Sequence, residues 1–215
     1  MDEKRIENAM RFYLLANTLK YKIRSGWDNK HWNVSSERLE SIAEHVYGTC
    51  ILAIGLDSEF KYEIDINKVM KMLVIHELEE VIIGDITPYD NVTKEQKLIE
   101  GHKAILTVIG DLVKKEELIN LILEFDSKKT KEALFAYHCD KLEADIQAKI
   151  YDDKGFIRWE DQANNIALRK KTFQQIIDAG AETVADVWHE YDKVLYEDDE
   201  VFAKTLVYVR NHKTI

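Results

Sequence analysis

Proline occurs once in the 215-residue chain and glycine eight times. So few breakers cannot supply the closely spaced turns of a many-stranded sheet, which leaves long amphipathic segments and an all-α fold. Cysteine is nearly as scarce, at two residues, which excludes a disulfide framework. Cys50 and Cys139 both fall in apolar helical pattern and read as small buried hydrophobes of a reducing compartment. No apolar run approaches the ~20 residues a membrane span requires, and no basic-then-apolar leader is present, so the expectation is a cytoplasmic protein with no membrane partner. Positive charge is in deficit, with 30 Lys and Arg against 40 Asp and Glu and a net charge of −10. Such a surface repels a phosphate polymer, which excludes nucleic acid as a partner and requires a local cation or metal for any small phosphate ligand. The length suffices for one domain spanning 1–215, its core about 10–150 with C-terminal helices 156–215 packed on it.

What remains is helical periodicity. The segment from Asp2 to Tyr21 carries Ile6, Met10, Tyr13 and Leu14 at helical spacing and is expected to lie over the core. The aperiodic KIRSGWDNKHWNVSSER that follows reads as a long loop, with Trp27 either a stacking platform or a packing anchor. Ser41 with Glu44 forms a capping box opening a helix in which Ile42, His45, Thr49 and Leu52 share one stripe. Asn67 is placed to cap the next helix, and Thr93 with Gln96 gives a second capping box for a helix ending near Gly110. Further helices are expected over Leu112–Phe125, Lys131–Ile150, Gln162–Ala179 and Glu182–Leu195, with the acidic YEDDE and the tail after it solvated.

Chemistry concentrates in VMKMLVIHELEEVIIGDITPYD, residues 69–90. Read as one helix, it puts His76 and Glu80 on a common face, with Glu77 roughly 100° round from His76 and near enough to share an ion. Gly84 ends the run and leaves Asp85 at its mouth, and Pro88 turns the chain away. Singly, each of these residues has a plain reading: a core histidine for His45, a charged helix face for HELEE, a salt-bridge acid for Asp140. Together, two histidines and two carboxylates at apolar-flanked positions of three helices point to one divalent ion. Imidazole with carboxylate suits Zn, Mn, Fe or Co, whereas a calcium site is built from oxygen alone; Mg is the remaining candidate for the ion.

The order His45, His76 with an adjacent carboxylate, then Asp140 resembles the H…HD…D pattern of the HD-domain metal-dependent phosphohydrolases. RSGW, ESIAEH, HELEEVIIGDITP and CDKLEADIQA resemble more narrowly its 5'-deoxynucleotidase branch, over about residues 10–150. The resemblance implies a single helical HD-domain fold and a homodimer. It also implies metal ligands at His45, His76, Glu77 and Asp140, acid/base work at Glu80 assisted by Asp85, phosphate orientation by Arg24, and substrate contact along Asp85–Pro88, including Thr87 and Pro88. Trp27 is added as a candidate base contact. The doublet here is His-Glu rather than His-Asp, and the Arg-Trp loop is longer, with a second tryptophan at Trp32. The implied activity is hydrolysis of a nucleoside 5'-monophosphate to nucleoside and phosphate. Release of di- or triphosphate on the same scaffold is one alternative, and a helical binding module with a decayed metal site is another. The dimer is further expected from Val184, Val187 and Trp188, apolar residues that a small core would leave uncovered.

Overall fold

The computed structural model describes residues 2–87 and 90–214, so Pro88, assigned above to substrate contact, lies outside them. No strand occurs among the described residues, only an isolated antiparallel bridge between Ile23 and Ser41. The all-α expectation therefore holds. The chain forms two compact units. One takes the chain up to Arg24 and Ser41–Tyr137; the other takes Ser25–Glu40 and the chain from His138.

The first unit holds α1 (Glu3–Asn17), α2 (Ile42–Phe60), α3 (Ile66–Ile75), the single turn α4 (Glu80–Ile83), α5 (Lys94–Ile109), α6 (Lys115–Ser127) and the start of α7 (Lys131–Asp153). Both capping boxes form: Ser41 and Glu44 exchange side-chain and backbone hydrogen bonds at the head of α2, and Thr93 and Gln96 do so at α5. Helix α3 is capped by Asp65 rather than by Asn67, because the Asp65 carboxylate accepts from the amides of Asn67 and Lys68. The core is built from the inward stripes of α2 and α3, Ile42, Ala53 and Leu56 against Val69, Met72 and Leu73, all at or below 7% exposure. The opening helix departs from expectation. Its apolar residues Ile6, Met10, Tyr13 and Leu14 are 46–61% exposed, and α1 is tied to the unit by polar contacts instead, Arg11 donating to the Thr107 carbonyl and Asn8 to that of Asp111.

The second unit contains the remainder of α7 with α8 (Lys171–Asp178), α9 (Val184–Asp192) and α10 (Glu200–Asn211). The single helix expected over Gln162–Ala179 is broken into 3-10 turns at Trp159–Asn164 and Ala167–Arg169 ahead of α8. Asn165 causes the break by hydrogen-bonding Gln162 and the amide of Ala167, the local side-chain-to-backbone competition typical of asparagine. The residues after YEDDE are not a solvated end. Asp199 caps α10, which buries Phe202 and Leu206. Val184 and Val187 are buried as well, at 1% and 0% exposure, and Trp188 stacks on Trp27 with centroids 4.8 Å apart. The apolar surface on which a dimer was expected is thus consumed within the unit. Among the described residues no helix is long and apolar enough to cross a membrane.

Candidate metal centre

The stretch around His76 is not one helix. α3 stops at Ile75, and His76 to Glu79 form a turn closed by bonds from Leu78 N–H to Ile75 and from Glu80 N–H to Glu77, at 3.2 and 3.1 Å. The turn is tighter than an α-helix, and it keeps His76 and Glu77 beside α2. There the fully buried His45 points its Nε2 at Glu77 Oε1, 3.7 Å away, while His76 Nε2 approaches the same oxygen at 3.4 Å. The two imidazole rings lie 5.6 Å apart. A ligand atom from each of His45, His76 and Glu77 falls within 4.8 Å of the others.

These donors fit a divalent ion. His76 Nδ1 lies 2.7 Å from the Leu73 carbonyl, which can only accept, so that nitrogen carries the proton and Nε2 presents its lone pair on the side of Glu77. A backbone carbonyl fixing the far nitrogen is the usual support of a metal-binding histidine. Arg24 Nη1, which can only donate, lies 2.8 Å from His45 Nδ1, so in this arrangement His45 Nε2 carries the ring proton toward Glu77, and coordination through Nε2 requires that contact to be exchanged. Asp140, in the part of α7 that belongs to the second unit, is 5% exposed and pairs with Lys141 at 2.8 Å.

Glu80 opens α4 and is 3% exposed. Burial first, then the neighbouring Glu77 and Asp85, push its carboxyl up to about 11, against the pull of Lys97. Burial and Glu77 likewise raise Glu79 to about 7. After Gly84, whose φ of 75° suits glycine, the chain passes Asp85 and reaches Thr87, where amide and hydroxyl both donate to Asp90 at 2.7 and 2.9 Å. Glu80, Asp85 and Thr87 share the short segment that follows His76 in sequence.

Trp27 belongs to the second unit. It is 1% exposed, stacked on Trp188, edge-on to Tyr151 at 5.3 Å, and its indole N–H donates to Glu40 at 2.7 Å. That is the packing anchor of the second unit, not an open platform for a base. Sequence reasoning passed over Lys97, which lies 3.6 Å from Glu80 and donates to the Ile86 carbonyl at 2.9 Å. Its signal was positional: Lys97 follows directly on the Thr93–Gln96 capping box, so it lies in the fixed first turn of α5.

An all-helical fold carrying a buried His-His-carboxylate cluster, with the doublet in a turn, defines the HD class of metal-binding proteins. The HD domain model matches residues 16–180, and the chain belongs to that family. Among curated proteins it is 33% identical over 154 residues to 5'-deoxynucleotidase HDDC2 of Dictyostelium discoideum, covering 68% of this chain and 79% of that protein. It is 34% identical over 142 residues to 5'-deoxynucleotidase hdd1 of Schizosaccharomyces pombe, covering 63% and 68%. A solved structure from Magnetospirillum magnetotacticum, described as a predicted metal-dependent phosphohydrolase, aligns with a TM-score of 0.60 at 24% identity over 98% of this chain and 96% of that one. A conserved hypothetical protein from Pyrococcus furiosus aligns with a TM-score of 0.62 at 24% identity over 94% and 99%. At that identity these structures support the fold.

Proposed function

We propose that the chain is a metal-dependent phosphomonoesterase that hydrolyses nucleoside 5'-monophosphates, deoxynucleotides among them, to nucleoside and phosphate. The observation that carries this reading is the convergence of His45 and His76 on Glu77 beside the buried carboxyl of Glu80. The relatives named as 5'-deoxynucleotidases support the substrate class. In this reading one divalent ion is held by His45, His76, Glu77 and Asp140. Asp140 is assigned on the resemblance to the H…HD…D pattern, in which it supplies the late carboxylate, and its burial keeps that carboxylate out of bulk water. Bound there, the ion would neutralise charge on the phosphate and lower the pKa of water at the site.

The chain's own groups do the rest. Hydrolysis breaks the bond between phosphorus and the ester oxygen while a water oxygen joins phosphorus, so one proton must leave the water and one must reach the departing alcohol. Glu80 is assigned to move them, and Asp85, on the same segment, is assigned to assist. Burial, which favours the protonated form of Glu80, suits the donating half of that exchange. Arg24, half-buried beside His45, offers a planar fork to the phosphate, and Thr87 lines the segment that follows Glu80.

The test is a screen of ribo- and deoxynucleoside 5'-monophosphates with Mn, Co, Mg and Zn, read as free phosphate. Release from monophosphates is expected. Pyrophosphate or tripolyphosphate released from higher phosphates alone would instead support the di- or triphosphohydrolase alternative, and no product from any nucleotide with any metal would overturn the proposal.

A further inference from the structure

Glu80 is hemmed in by like groups: Glu77, Glu79 and Asp85 all act on it as carboxyls, and Lys97 acts on it as a cation. The capping box at Thr93 fixes where Lys97 stands. Thr93 accepts from the Gln96 amide, Gln96 returns a bond to the Thr93 amide, and the Lys97 N–H closes on the Thr93 carbonyl at 2.9 Å. With its backbone so held, the Lys97 side chain reaches the Ile86 carbonyl at 2.9 Å and the Glu80 carboxyl at 3.6 Å. Gly84 lies between those two partners in sequence, and a glycine at φ 75° gives the chain no stiffness of its own there. A single ammonium therefore spans the Gly84 joint.

We propose that Lys97 is a positioning residue for Glu80: its ammonium ties the Glu80 carboxyl to the Ile86 carbonyl and so fixes the acid/base group relative to Asp85. The proposal rests on Glu80 having the acid/base role argued above. Lysine suits the task because its ammonium donates to the Ile86 carbonyl while its charge lies 3.6 Å from the Glu80 carboxyl, and its side chain is 35% exposed, so the charge keeps part of its hydration. A positioning role requires that Lys97 act through Glu80 and not through substrate binding.

The experiment is a double-mutant cycle on the metal-loaded enzyme with Lys97→Met, Glu80→Gln and the pair, reading kcat and KM for a nucleoside 5'-monophosphate together with the melting temperature. The effect expected here is roughly 10- to 100-fold in activity, the size found for groups that orient metal ligands. Lys97→Met is expected to lower kcat by about that factor with KM and melting temperature near those of the parent. In the Glu80→Gln background the same change should have little further effect. Lys97→Arg, which keeps a cation and its donors, should recover part of the rate. Three results would overturn the proposal: a Lys97→Met enzyme at parental kcat, a full loss from Lys97→Met on top of Glu80→Gln, or a loss expressed only in KM. The Glu80 assignment fails separately, if Glu80→Gln alone works at the parental rate.

Discussion

Glu80 is where the plain and catalytic readings of a single residue diverge most. As an exposed acid of the HELEE run it would contribute at most about 1 kcal/mol, and replacement by Gln would change little. It is instead buried among carboxyls, where Gln keeps the size and hydrogen bonding but cannot carry the proton. Glu80→Gln is expected to lose roughly 10²- to 10⁴-fold in turnover with metal content unchanged, because Glu80 is not proposed as a ligand. Parental activity in that variant would return Glu80 to a structural role, and loss of metal would make it a ligand. Asp140 is predicted to behave oppositely: Asp140→Ala should fold, since the change sits inside a long helix, yet bind less metal and lose activity. Metal analysis of the purified variant decides, and an undiminished content would remove Asp140 from the ligand set. The histidines were legible because an imidazole in an apolar stripe breaks its pattern, as His45 does between Ile42 and Thr49. Trp27 was open to two readings because a tryptophan in an aperiodic segment carries no periodic signal of what covers it.

At the scale of elements, local rules were readable and cooperative ones were not. The capping boxes at Ser41 and Thr93 form as expected because both halves of each motif lie within one turn. The break between α3 and α4 has no such marker: VMKMLVIHELEEVII keeps helical spacing throughout, and it is the turn at His76–Glu79 that places Glu77 between the histidines. The same limit applies at Asn165, where a side chain competing for the backbone divides a segment whose apolar spacing is continuous. Gly110 shows a breaker acting through packing as well as conformation. Its φ of 57° and ψ of −128° lie where non-glycine residues are strained, and a β-carbon there would meet Arg11 Nη1 at 2.6 Å. Gly110→Ala should cost on the order of 1–3 kcal/mol and free Arg11 from the Thr107 carbonyl. Thermal unfolding and the rate of proteolysis within Glu3–Asn17 measure both effects. A variant matching the parent in each would mean that neither the strain nor the contact matters.

For the molecule as a whole, a buried polar cluster in the second unit, marked by no motif in the sequence, contributes to the dependence of stability on pH. Asp145, fully enclosed on α7, accepts a hydrogen bond from Tyr196 at 2.8 Å and shares another with Asp192, and its backbone carbonyl faces His189 Nε2 at 3.3 Å. Burial pushes Asp192 up to about 6 and His189 down to about 4. The two act in opposite directions. Between about 3.8 and 6 the folded chain keeps a proton on Asp192 that the unfolded chain has released, so stability from this group falls as pH rises and is lost above about 6. Between about 4 and 6.5 the unfolded chain binds a proton at His189 that the folded chain refuses, so stability from the histidine rises with pH. The contributions run in opposite directions in the parent, and the difference between parent and variant reports the Asp145–Asp192 pair apart from His189. Asp192→Asn keeps the shape and a hydrogen bond but removes the acid. The stability advantage of the parent over this variant should therefore shrink as pH rises from 4 to 6, by on the order of 1 kcal/mol per pH unit at most, and stay level above that. Urea unfolding of both proteins from pH 4 to 7.5 provides the comparison. Curves that run parallel throughout would show that Asp192 does not hold its proton in the folded state.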